Sequence, residues 1–186
     1  MTNTLVHDAA AVEATVRSAA AGNEAAFARL VAEHHAAMAR VAYVICGDAD
    51  MTIDAVQSAW TNAWRRIGSL RDPSQVRAWL VAVAANEARQ AVRRRRRASI
   101  VDVSSDLVEI AGRDPAESVT VVDLQRALRG LKPDDRALLA MRFVAELDSA
   151  EIAQHLGMSA SGVRSRLARL LERLRSDLAL DQEAGS

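Results

Sequence analysis

The side chains best equipped for chemistry in this chain are guanidinium, amide and hydroxyl groups in two separate blocks. In the first block Asn86, Arg89 and Gln90 precede five consecutive arginines, Arg93 to Arg97, so one end of a helix is polar and strongly basic. Guanidinium forks make charge-assisted bonds to phosphate oxygens, and an unbroken arginine run carries no spacing code. It therefore implies phosphate contact that is blind to sequence and sensitive to salt. In the second block Ala153, Gly157 and Val163 stand at the offsets of a helix-turn-helix: a small residue where two helices cross, a glycine in the turn, and an aliphatic anchor in the second helix. The helix that follows offers Ser159, Ser161, Arg164, Ser165, Arg166 and Arg169. Arginine suits guanine in the major groove and serine suits phosphate oxygens. Two nucleic-acid-facing elements on separate modules point to a protein that grips two stretches of one duplex.

Other candidates carry duller meanings. His34 and His35 beside Glu33 lack the two-histidine spacing of a metalloprotease, and they read as helix-surface or partly buried residues, as does His155. Trp60, Trp64 and Trp79 recur on apolar faces, which favours packing over base stacking. Cys46 is the sole cysteine, so an intrachain disulfide and a cysteine-rich zinc site are excluded, and a small buried residue explains it better than a redox switch. No nucleophile-base-orienter set, phosphate-cradling glycine loop or metal cluster stands out. The expectation is a protein without catalysis, cofactor, metal or small-molecule substrate.

The 186 residues suffice for two small domains, each with a modest core. Formal net charge is zero, but charge is segregated locally. No acid interrupts Arg89 to Arg97, whereas Asp102, Asp106, Glu109, Asp114 and Glu117 face only Arg113 in the next stretch. A neutral total thus hides a basic clamp and an acidic connector. No apolar run approaches the ~20 residues needed to span a bilayer, and Asp8 and Glu13 do not resemble a targeting flank, so a reducing cytoplasm without membrane insertion is expected.

The positioning elements are helical throughout. Asn23 caps a long helix with Phe27, Leu30, Val31, Met38, Val41 and Ile45 on one face, ending near Gly47. A second helix carries Ile53, Val56, Trp60, Trp64 and Ile67. After the loop at 68–74, Asp72 and Pro73 start a third, with Val76, Trp79, Leu80, Val83, Ala84 and Ala91 facing the core. Residues 10–20 add a short helix ahead of these. Periodicity lapses over 98–117, with Asp114-Pro115 as a breaker, and that stretch is read as a flexible linker. Beyond it Val121, Leu124, Leu128 and Leu131 share a face, and Pro133-Asp134-Asp135 opens a helix bearing Leu138, Leu139 and Phe143. Asp148 with Glu151 forms a capping box, and Ser159 caps the final helix, whose buried stripe runs through Val163, Leu167, Leu170, Leu174 and Leu178. The fold class is all-α: two small helical domains joined by a linker, the C-terminal one with a helix-turn-helix.

The chain resembles the extracytoplasmic-function (ECF) class of bacterial RNA polymerase sigma factors. The likeness runs through Phe27-Ala28-Arg29-Leu30, Asp54-Ala55-Val56-Gln57, Ala63-Trp64-Arg65-Arg66, Arg77-Ala78-Trp79-Leu80 and Asn86 with its arginine tail. It resumes through Leu128-Arg129-Gly130-Leu131, Arg142-Phe143-Val144, Glu151-Ile152-Ala153 and Val163-Arg164-Ser165-Arg166-Leu167. Residues 24–97 and 118–178 are covered. The sequence departs from the family pattern at Ile53, Ala85, Gln90 and Ser161-Gly162.

The resemblance implies domains at 1–97 (a sigma region 2) and 118–186 (a sigma region 4), with the acidic linker at 98–117. It implies that Asp54, Val56 and Gln57 dock on the polymerase clamp. The loop residues Arg71, Asp72, Ser74 and Gln75 would capture a base flipped from the melted -10 element, while Asn86, Arg89, Gln90, Arg93 and Arg94 meet its upstream edge. The -35 element would fall to Ser159, Ser161, Arg164, Ser165, Arg166 and Arg169. Core RNA polymerase, promoter DNA and an anti-sigma factor are the implied partners. The residues alone leave open a plain helix-turn-helix regulator of duplex operators.

Overall fold

The computed structural model describes residues 2–101 and 119–184. Helices α1 (Thr2–Ala20), α2 (Glu24–Cys46), α3 (Ala49–Arg66) and α4 (Val76–Val101) form the N-terminal domain, with short 3-10 turns at Ile67–Ser69 and Pro73–Gln75. The C-terminal domain comprises α5 (Val119–Gly130), α6 (Pro133–Leu139), a π-turn at Ala140–Val144, α7 (Ser149–Leu156) and α8 (Ala160–Ala184).

Capping chemistry sets most helix ends. Asn23 accepts from the Ala26 amide, and Gly47 closes α2 in the left-handed region, where a side chain would be strained. Asp48 caps α3 by accepting from the Met51 amide at 2.8 Å. Asp148 and Glu151 form the expected reciprocal capping box, and Ser159 Oγ accepts from the Gly162 amide at 3.0 Å. The helix expected at 10–20 begins at Thr2. Helix α4 runs past Arg97 to Val101, so residues 98–101 extend a helix rather than open a linker; Asp102, Asp106, Glu109, Asp114 and Glu117 lie outside the described residues.

The true buried stripe of α3 is finer-grained than its large side chains suggest. Ala55, Val56, Ala59 and Ala63 are buried, while Ile53 is 56% and Trp64 38% exposed. Small residues let α3 approach α2 and α4 closely, so the core face is drawn by alanines and the bulkier residues fall beside it. Trp64 rests edge-on against Phe27, with ring centroids 4.8 Å apart. Leu124 and Phe143 are likewise exposed rather than core. For Phe143 the cause is local: the Ala145 amide bonds to the Ala140 carbonyl five residues back, and this wider turn rotates the helix face. Glu146 then leaves the helix at φ 56°, and the Leu147 amide reaches the Met141 carbonyl.

Among the described residues two apolar clusters hold the fold together. One lies beneath α1 around Val16, Leu30, Met38, Ile67 and Leu80. The other crosses between the domains: Val41, Ile45 and Val81 share it with Leu131, Leu138, Met141 and Ile152. The second domain is therefore docked, with α6 and the π-turn against α2, and α6 and α7 against α4. That closed packing decides what its functional side chains can reach.

Candidate nucleic-acid interface

Helix α4 turns its polar end toward the second domain. Asn86 and Arg93 to Arg97 are exposed, and Arg89 and Gln90 are half-buried. Arg89 donates to Asp134 at 3.1 Å and to the Asn86 side-chain oxygen at 3.1 Å. Arg93 donates to both carboxylate oxygens of Asp134, at 2.8 and 2.9 Å. One acid at the start of α6 thus occupies two arginines that were expected to meet DNA. Farther along, Arg95 donates to Asp48 at 3.0 Å. The carboxyl of Asp48 is held below its ordinary range by the Met51 amide first and by Arg95 second.

Glu87, which sequence reasoning passed over, is 8% exposed and anchors the polar face from beneath. Its carboxylate accepts from Asn62 at 2.9 Å and, at 3.5 Å, from Gln90. Asp54 and Gln57 are exposed on α3 and line a groove with Arg65, Glu87 and Arg94. Val56 does not belong with them. At 3% exposure it packs in the core, because two residues beside Asp54 on a helix turn to the opposite side; its role is to seat α3.

The loop set lies at the other end of α4. Arg71, Asp72 and Ser74 are exposed, with Gln75 half-buried, and Asp72 accepts from both the amide (3.0 Å) and the hydroxyl (2.7 Å) of Ser74. With a rise of about 1.5 Å per residue, Gln75 and Arg93 are roughly 27 Å apart along the helix. The loop and the arginines are therefore separate patches on one rod.

On α8, Ser161, Arg164, Ser165 and Arg169 are exposed, and Arg169 Nε donates to the Ser165 carbonyl at 3.4 Å. Ser159 is committed to capping, 3.1 Å from the Ser161 hydroxyl. Arg166 is half-buried and carries a structural contact as well. Its Nε and Nη2 meet one oxygen of the buried Asp135 at 2.9 and 2.7 Å, which ties α8 to α6. The contact uses the Nε edge and leaves Nη1 open, so Arg166, its side chain 34% exposed, remains an available donor alongside the exposed Ser161, Arg164, Ser165 and Arg169. Asp134 and Asp135 mark a helix start in the sequence, which says nothing of their reach to α4 and α8.

Arg77 donates to the Ala145 carbonyl at 2.5 Å, a further bond between the domains. His34 is buried with its Nε2 unpartnered, and burial lowers its pKa; His155 behaves alike. His35 instead accepts from the Trp60 indole at 3.2 Å. Burial pushes the Cys46 thiol up to about 11, against an ordinary value of 9.0. A thiol that is protonated at pH 8 should react with a disulfide reagent only as fast as the fold opens. Rapid labelling of native protein at pH 8 would contradict its burial.

Comparison with known proteins completes the picture. Residues 30–98 match the Sigma-70 region 2 model and residues 122–174 match Sigma-70, region 4. The ECF RNA polymerase sigma factor SigL of Mycobacterium tuberculosis is 30% identical over 176 residues, covering 92% of this chain and 98% of SigL. SigM of the same species is 30% identical over 154 residues, covering 83% and 78%. The probable RNA polymerase sigma factor RfaY of Xanthomonas campestris is 30% identical over 168 residues, where the match spans 86% of this chain and 42% of RfaY. The structure of CnrH in complex with the cytosolic domain of CnrY superposes with a TM-score of 0.66 at 26% identity, covering 94% of this chain and 98% of CnrH. A plain operator-binding regulator would leave the region 2 match over 30–98 without a purpose. The chain belongs to the ECF class of RNA polymerase sigma factors.

Proposed function

We propose that this chain is a dissociable promoter-specificity subunit of the cytoplasm, with no catalysis of its own, whose two domains take separate jobs on a borrowed polymerase. The division at 1–97, 98–117 and 118–186 follows the family's organisation. Asp54 and Gln57 contact core RNA polymerase from the exposed face of α3. The loop bearing Arg71, Asp72, Ser74 and Gln75 offers polar edges to an unpaired base of the -10 element. Asn86, Arg89 and Gln90 stand at its upstream edge, and Arg93 and Arg94 meet phosphates. Ser161, Arg164, Ser165, Arg166 and Arg169 read the -35 element in the major groove, with Ser159 capping the helix that carries them.

The observation that carries this reading is the pairing of one polar basic helix, α4, with one reading helix, α8, in a chain matching both sigma regions. In the closed packing Arg89 and Arg93 are taken by Asp134, so the domains must part before these two arginines are free for DNA. A partner that holds them together silences the chain by mass action. An anti-sigma factor fits that role. CnrH was solved with the cytosolic domain of CnrY, and the similarly folded RpoE of Bartonella quintana with the anti-sigma factor NepR.

Transcription from a genomic library by purified core polymerase plus this chain, with mapped start sites, tests the reading directly. Asp54→Ala with Gln57→Ala is expected to weaken core association at least tenfold while leaving the chain folded and its duplex binding intact. Wild-type association of the double variant would remove the docking assignment, and an absence of start sites would remove the sigma reading.

A further inference from the structure

The seam between the two domains contains a cation whose surroundings do not account for it. Arg136 of α6 is 4% exposed, and its Nε is buried without a hydrogen-bond partner. Among the described residues it forms no ion pair, unlike Arg89, Arg93 and Arg166, each of which meets a carboxylate. The ionic groups that bear on it are Arg96 and Arg129, both cations, while Cys46 beside it is neutral and Asp48 nearby is engaged by Arg95. Burying a guanidinium among like charges is costly unless something negative arrives. The C-terminus of α2 lies next to it and supplies about half a negative charge, but that leaves Nε unsatisfied.

A small cavity opens at this place, about 80 Å³ in volume, lined by Tyr43, Gly47, Gln125, Arg129 and Arg136 among others. A water needs only about 10–15 Å³ of such space, so a tetrahedral oxyanion fits. Gly47 forms its floor: a Cβ there would stand 3.9 Å from both Arg129 Nε and Arg136 Nη1, so the two guanidinium groups converge on one spot. Gln125 and Tyr43 can add neutral donors.

We infer that this cavity is a binding site for a small oxyanion of the phosphate class, held between Arg136 and Arg129 at the domain seam. Its walls come from α2 on one side and from α5 and α6 on the other, so the site is whole only when the domains are packed. A ligand that binds only the packed form stabilises it in proportion to occupancy. Phosphate would then oppose the opening that frees Arg89 and Arg93. The inference rests on the closed packing and not on the promoter reading.

The test titrates inorganic phosphate into the full chain by calorimetry at fixed ionic strength, with thermal unfolding and an interdomain distance probe alongside. Expected are one saturable site, a higher Tm and a shorter distance than in sodium chloride of equal ionic strength. A nucleoside monophosphate arm separates free phosphate from a phosphomonoester; binding of either supports the site. Arg129→Gln leaves the core untouched and should weaken binding at least tenfold, and Arg136→Met should abolish it. Phosphate acting no differently from chloride overturns the inference. So does binding that persists in both variants, which would place the anion on the arginine run instead. Failure in either form leaves start-site mapping with core polymerase unaffected.

Discussion

Asparagine in place of Asp134 is expected to raise the free chain's affinity for promoter DNA about five- to thirtyfold. The carboxylate accepts three hydrogen bonds from Arg89 and Arg93 across the domain seam. Its side chain is 39% exposed, so solvent screens it, and each pair contributes roughly 0.5–1 kcal/mol to closure. The two together are worth about 1–2 kcal/mol, and DNA need no longer displace them. Anisotropy with a labelled promoter duplex at low salt measures the gain. The difference should shrink as salt rises, because screening weakens the wild-type contact as well. Equal affinities for the two proteins at low salt would show that Asp134 does not compete with phosphate.

Leu138→Ala attacks the same seam through its apolar part, with a larger expected loss of about 2–5 kcal/mol in unfolding free energy. Leu138 is fully buried in the cluster shared by both domains, where α2 and α4 leave little room for collapse around a cavity. Denaturant unfolding followed by helical signal measures it. The N-terminal domain should survive to higher denaturant than the C-terminal one, because the cluster beneath α1 does not involve Leu138. A loss below about 1 kcal/mol would mean that the seam is looser than its burial implies.

The helices were legible in the sequence wherever chemistry marks their ends. Asn23, Asp72, Asp148 with Glu151, and Ser159 each cap as their types and spacing require. Faces were less legible. Ile53, Trp64, Leu124 and Phe143 have the right spacing for a core but point outward, since close helix packing is set by alanines and a π-turn shifts the phase after Leu139. Among candidate site residues, most lie on exposed or half-buried surface. Val56 does not, being taken by the core, and Arg166 is half-buried with one edge on Asp135. Asp134, Asp135, Glu87 and Arg136 escaped notice because contacts between distant segments leave no local period. A helix-start acid looks the same in sequence whether it faces water or a neighbouring domain.

The pairing of Asp134 and Asp135 on a single helical turn has a mechanical corollary. One carboxylate grips α4 and its neighbour grips α8, so α6 is tied at once to the basic helix of the other domain and to the last helix of its own. Parting the domains to release Arg89 breaks the Asp134 contacts but leaves the Asp135–Arg166 pair, which lies within the C-terminal domain, in place. The last helix therefore keeps its seat on α6 whether the domains are closed or apart.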